Sequence, residues 1–196
     1  MKTKKRESIL ITAKHMFARY GVRKTNLNEI AYMARVAKAT IYNYFGSKEQ
    51  IYFELLNLEA NELMDKVSEA TAQIASPLEK LRVFYRTRVA RMKEASNVMN
   101  ASWKGNENLR VQTNLVREGI LKREIGLIQS ILEEGVKTGV FHMDNIVRTA
   151  RGISYALRGL EAALPAAQSS EEMEADFEGF FEVFCRGIMV EKREGL

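Results

Sequence analysis

Lys38, Thr40, Tyr42, Asn43 and Tyr44 crowd into one short stretch of the chain. Together they offer an ammonium, a hydroxyl, two phenols and a carboxamide. These groups can donate to phosphate oxygens, and an asparagine amide can also match a base edge. Only Ile41 and Phe45 in the stretch are clearly apolar. The set suits recognition of a polyanion.

The flanking residues specify how such a stretch would be held. Asn26 can cap a short helix, and Glu29 three residues later has capping-box spacing. Leu27, Ile30, Ala31 and Ala34 then fall at i, i+3, i+4 and i+7, one apolar face. Residues 34–37 leave room for a turn, and a second short helix is predicted over 38–44. Gly46 can end it, and Ser47 can cap the next helix with Gln50 as partner. This is the order of a helix-turn-helix. Its second helix is slim and polar enough for a major groove about 12 Å wide. Two surface helices of an all-α core would show the same spacing, so the choice rests on charge.

The 196-residue chain has a net charge of +5, unevenly spread. Residues 1–50 hold 11 Lys/Arg against 3 Asp/Glu, a balance of +8. The remainder holds 19 against 22, a balance of −3. A basic end on a slightly acidic body points to nucleic acid at the N-terminal segment, although a basic tail can also simply aid solubility. The single cysteine, Cys185, forbids an intrachain disulfide and sits in an apolar stretch that suits a core. No signal-peptide pattern and no run of about 18 apolar residues is present, so a cytoplasmic protein without a membrane partner is expected.

Only two prolines and few alternating runs predict an all-α fold of about nine helices. A basic arm, KTKKR, precedes a helix over 7–20 with Ile9, Leu10, Ala13, Phe17 and Tyr20 on one side; Gly21 is placed to stop it. A long helix follows over 47–74, then one over 77–95 with an apolar face and an Arg/Lys face (Arg82, Arg86, Arg88). A loop over 96–108, with a helical turn near Trp103, leads to a helix over 109–138, broken near 117–119. Gly135 and Gly139 bracket its end. Asp144 can cap the next helix, which runs to 164, and a last helix covers 171–192. There the Phe177, Phe181, Phe184 and Ile188 face is large for one small domain. It either pairs with a second copy or covers the chain's own core.

Across 25–50 the sequence resembles the TetR family of bacterial transcriptional regulators. The matching pieces are Thr25, Ile30-Ala31, Thr40-Ile41-Tyr42-Asn43-Tyr44-Phe45 and Ser47-Lys48-Glu49, preceded by Phe17-Ala-Arg-Tyr-Gly21. Three positions depart from the family pattern. Arg35 and Ala39 stand where glycine is frequent, and Ala37 stands where a serine cap is common. The resemblance implies a DNA-binding domain over 1–46 and a ligand-binding and dimerisation domain over 47–196. It also implies homodimerisation through the last two helices and a ligand cavity among helices four to seven.

For double-stranded operator DNA, Lys38 and Thr40 stand at the N-terminus of the second short helix, where side chains reach bases or phosphates. Tyr42 and Tyr44 can donate to phosphates or pack between helices, and Asn43 can read a base edge. Ala39 bears on how closely the backbone approaches the duplex. Lys48 and Thr25 are phosphate candidates. Phe84, Tyr85, Met92, Met99, Trp103, Leu121 and Ile125 can line an apolar effector cavity or be ordinary core. Arg88 and Arg117 can meet an anionic group or sit on solvated faces. His15 and His142 lack partners at metal spacing, and no cofactor is expected.

The leading expectation is a ligand-responsive dimeric repressor binding a palindrome and released by a small, largely apolar effector. An all-α enzyme is disfavoured, because Glu133-Glu134 has no histidine at metal spacing and no phosphate-binding glycine loop or Cys/His pairing occurs. A non-specific architectural DNA-binding protein would need basicity throughout, whereas the body is slightly acidic.

Overall fold

The computed structural model describes residues 2–94, 107–163 and 170–189. Among the described residues there are eight α-helices and no strand: α1 (Lys2–Lys24), α2 (Leu27–Met33), α3 (Lys38–Phe45), α4 (Lys48–Ala72), α5 (Pro77–Glu94), α6 (Glu107–Lys137), α7 (Ile146–Ala163) and α8 (Ser170–Ile188). None is long and apolar enough to cross a membrane. The all-α expectation holds. The helical turn expected near Trp103 lies outside the described residues. The chain divides into two units, one of Met1–Leu63 with Arg91–Ile120, the other of Met64–Ala90 with Leu121–Leu196.

The first unit is built on the stripe of α1. Ile9, Leu10, Ala13, Met16 and Phe17 are buried with Ile30 and Ala31 of α2, Ile41 and Phe45 of α3, and Ile51, Tyr52 and Leu56 of α4. Phe17 meets Tyr52 edge to face, with ring centroids 6.1 Å apart. α1 begins earlier than expected, so the basic arm is helical, and Gly21 breaks the helical geometry at φ 78°. Lys14 of α1 pairs with buried Glu59 of α4 at 3.2 Å. Burial pushes the Glu59 carboxyl up, and Lys14 draws it back down.

In the second unit, Leu81, Phe84 and Tyr85 of α5, Ile128, Ile131 and Leu132 of α6, Ala150, Ile153 and Leu157 of α7, and Phe177, Phe181, Cys185 and Ile188 of α8 are buried. Tyr85 stacks on Phe177, centroids 3.3 Å apart. Phe177, Phe181 and Ile188 therefore cover the unit's own core, one of the two alternatives that the sequence leaves open for this face. Burial raises the Cys185 thiol to about 11, which keeps it protonated and unreactive.

α6 is continuous through Gly119, where a break was expected; one internal glycine costs only about 1 kcal/mol against alanine. It stops at Gly139, whose φ of 72° is left-handed. Gly135 has a different role from the expected bracket. A Cβ there would collide with the ring of buried Phe141. The cap of α7 is Asn145, one residue beyond the expected Asp144: its Oδ1 accepts from the Arg148 N–H at 2.9 Å.

These contacts predict that Gly135→Ala destabilises the protein by about 1–3 kcal/mol through overpacking. Gly126→Ala, in the same helix with open space around it, is neutral or stabilising by up to about 1 kcal/mol. Thermal denaturation of the two variants checks this; equal melting points would refute the role given to Gly135.

Candidate nucleic-acid interface

α2 starts at Asn26, whose Oδ1 accepts from the Asn28 N–H at 2.9 Å. It ends in a Schellman arrangement: Val36 N–H donates to the Ala31 carbonyl at 3.0 Å and Arg35 N–H to the Tyr32 carbonyl at 3.1 Å. Val36 packs against the core of the unit. Arg35 takes the left-handed position of this motif, with φ 54°. Without glycine's freedom, that conformation costs on the order of 1 kcal/mol. The turn is therefore made with a residue that resists it.

α3 is eight residues long, and Ala37 at its N-cap makes no side-chain capping bond. Ile41 and Phe45 are its buried residues. Lys38, Ala39, Tyr42 and Asn43 are exposed, and Thr40 is half-buried. Tyr42 is 48% exposed, and the Lys38 ammonium lies 5.9 Å from its ring centroid. Tyr44 divides its role: it is half-buried against the core, with its ring 6.2 Å from that of Phe45. Gly46, with φ 74°, closes the helix. Ser47 then caps α4, its Oγ accepting from Gln50 N–H at 3.1 Å.

The flanking candidates are more deeply engaged. Thr25 is only 3% exposed, and its hydroxyl donates to the Gly21 carbonyl at 2.8 Å. It ties off the end of α1, and a phosphate contact would require that hydroxyl to turn outward. Lys48 donates to the Thr25 carbonyl at 2.9 Å and approaches that of Arg23 at 3.3 Å. It thus neutralises the negative end of α1 and fixes the start of α4 beneath it.

The effector candidates fall in different surroundings. Phe84 and Tyr85 are buried, and Leu121 and Ile125 are half-buried in the second unit. Arg88 does not sit on a solvated face: it is 3% exposed and pairs with Glu124, itself 1% exposed. Arg158 lies 3.9 Å from the same carboxylate. Arg117 is half-buried and belongs to the first unit, where burial pushes the Tyr52 hydroxyl up and Thr113 and then Arg117 offset part of that rise. Met99, Trp103 and the side chain of Met92 lie outside the described residues. Sequence reasoning missed Glu124 and Glu59. Both stand on apolar stripes, Glu124 between Ile120 and Ile128 and Glu59 between Leu55 and Leu63. A lone acid on such a stripe needs a buried cation, and that was the available signal.

Residues 9–55 match the family model for bacterial regulatory proteins of the tetR family. The uncharacterised helix-turn-helix transcriptional regulator YhgD of Bacillus subtilis is 28% identical over 149 residues, covering 71% of this chain and 73% of its own length. The fatty acid metabolism regulator protein of the same bacterium is 27% identical over 147 residues, covering 73% and 74%. Among solved structures, a transcriptional regulator from Cytophaga hutchinsonii aligns with a TM-score of 0.77 at 22% identity, over 94% of this chain and 98% of that one. FadR from Bacillus subtilis, solved with stearoyl-CoA, aligns with a TM-score of 0.71 at 24% identity, over 93% and 98%. At such identities the two structures speak to the fold alone. Residues 9–55 thus combine helix-turn-helix geometry with a match to the tetR family model, and the chain as a whole is similar to bacterial regulators of that kind.

Proposed function

We propose that the protein is a homodimeric repressor that reads a palindromic operator with α3 and leaves it when a largely apolar small molecule binds the helical body. One observation carries the DNA half of this reading. α3 commits Ile41 and Phe45 to the core and leaves Lys38, Tyr42 and Asn43 exposed. In this reading residues 1–46 are the DNA-binding domain and 47–196 the ligand-binding and dimerisation domain. Lys38 and Thr40 meet the groove edge, Ala39 lies against the duplex, and Tyr42 and Tyr44 donate to phosphates. Asn43 reads a base. Lys48 has three N–H donors, two of them aimed at carbonyls, which leaves one for a phosphate.

The dimer is assigned to the outward faces of α7 and α8. Val183 of α8 is 73% exposed, and Tyr155 and Val147 of α7 are 52% and 47% exposed. Gly152, Gly159, Gly179 and Gly187 have open space around them, which would let a partner helix approach closely. Exposed Arg148 and Arg151 on α7 and Asp176 and Glu182 on α8 supply opposite charges for a two-fold contact. The effector is assigned to Phe84, Tyr85, Leu121 and Ile125. An effector with a long apolar part suits such a lining and the relative named for fatty acid metabolism.

Three outcomes follow. Asn43→Ala changes the ranking of duplex sequences in a selection from random DNA, with discrimination at one base pair falling by about 1–3 kcal/mol; an unaltered ranking removes Asn43 from base readout. Val183→Glu shifts the protein from dimer to monomer in sedimentation and weakens binding to a two-half-site duplex, whereas a variant that stays dimeric moves the interface elsewhere. Long-chain acyl-CoA added to the protein–duplex complex releases DNA, and DNA weakens acyl-CoA binding by the same factor. Independent binding of the two would reject acyl-CoA as the effector.

A further inference from the structure

The second unit buries a charged group drawn from three helices. Arg88 of α5 pairs with one oxygen of Glu124 on α6, and Arg158 of α7 lies 3.9 Å from the other oxygen of the same carboxylate. All three residues belong to that unit. Glu124 carries one negative charge and faces two guanidiniums, so it can match only one of them in full. Charge held away from water is costly until it is matched.

The two arginines are held differently. The Arg88 side chain is 4% exposed and makes the close contact. The Arg158 side chain is 33% exposed, and its separation from Glu124 is too long for a hydrogen bond. Arg88 is thus engaged inside the protein, and an anion arriving from solvent meets Arg158 first. A guanidinium presents five N–H donors in a planar fork and can hold an oxyanion with two of them.

This group adjoins the lining assigned to the effector. Phe84 and Tyr85 stand one turn before Arg88 on the same face of α5, and Leu121 stands one turn before Glu124 on α6. Burial raises the Tyr85 hydroxyl, and Arg88 is close enough to draw it back down. The apolar lining therefore ends in charge.

We propose that the effector carries an anionic group and that Arg158 binds it, turning from Glu124 to the anion while Arg88 stays on Glu124. This rests on the assignment of the effector to Phe84, Tyr85, Leu121 and Ile125, and it names the chemistry at one end of that molecule. The anionic oxygens belong either to a carboxylate that ends the apolar chain or to the phosphates of coenzyme A.

Calorimetric titration of the full-length protein with dodecanoate, dodecanoyl-CoA and 1-dodecanol tests this, because the three share one chain length and differ in charge. The wild type binds at least one anionic probe about tenfold more tightly than dodecanol, the scale of a charge-assisted hydrogen bond. Preference for dodecanoate identifies the carboxylate as the group bound, and preference for dodecanoyl-CoA alone identifies the phosphates. Arg158→Gln removes that roughly tenfold advantage and leaves dodecanol binding as it was. Arg158→Lys keeps the charge without the planar fork and loses less. An anionic preference that survives Arg158→Gln, an equal loss for dodecanol, or a lysine variant that loses as much as the glutamine variant would each overturn the role of Arg158. A wild type that binds dodecanol as tightly as either anion would overturn the proposal and leave the apolar-effector reading in place. One that binds none of the three would overturn both.

Discussion

The placement of α3 depends on two side chains. Ile41 and Phe45 are the points at which α3 enters the core formed by Ile9, Phe17, Ile30 and Tyr52. An eight-residue helix is too short to persist by itself. α3 also lacks a capping side chain at Ala37 and follows a left-handed Arg35. Local preferences therefore work against it, and tertiary burial holds it. Using only two anchors leaves the remaining positions free to carry polar groups. Exposed polar groups and structural support thus compete for the same eight positions, and the division at Ile41 and Phe45 accommodates both.

The body handles charge in a different way. Glu59 and Glu124 each stand on an apolar helix stripe and are matched by Lys14 and Arg88. For the fully buried Arg88–Glu124 pair, replacement by apolar groups is often neutral or stabilising, whereas removing one partner typically costs about 3–5 kcal/mol; half-exposed Lys14 is screened by solvent, so its pair contributes less. They therefore restrict which packings of α1 on α4, and of α5 on α6, are allowed. A slip along either helix pair would strand a carboxylate among apolar side chains.

Much of the first unit was legible because its determinants are local. The cap at Asn26, the turn before Lys38, the stop at Gly46 and the cap at Ser47 all act within a few residues, and all occur where spacing placed them. The burial of Ile41 and Phe45 followed from being the apolar members of a polar helix. What escaped depends on distant partners. Which of its two possible partners the Phe177 face of α8 takes is decided by Tyr85, far away in sequence, which stacks on Phe177. Gly135 is set by the ring of Phe141. Arg88 looked like a member of a solvated basic face until Glu124 buried it. The arm before Glu7 reads as a charged tail, yet Arg6 fastens it to Glu54 and Phe45.

The most direct test of the outward-facing recognition helix is hydroxyl-radical labelling of tyrosines in the full-length protein with and without saturating duplex. Tyr42 is 48% exposed, and Tyr155, on the face assigned to the dimer, serves as the reference whose labelling does not depend on DNA. The account predicts that duplex shields Tyr42 and leaves the labelling of Tyr155 as it is without DNA. Equal labelling of Tyr42 in the free and DNA-saturated protein would contradict it.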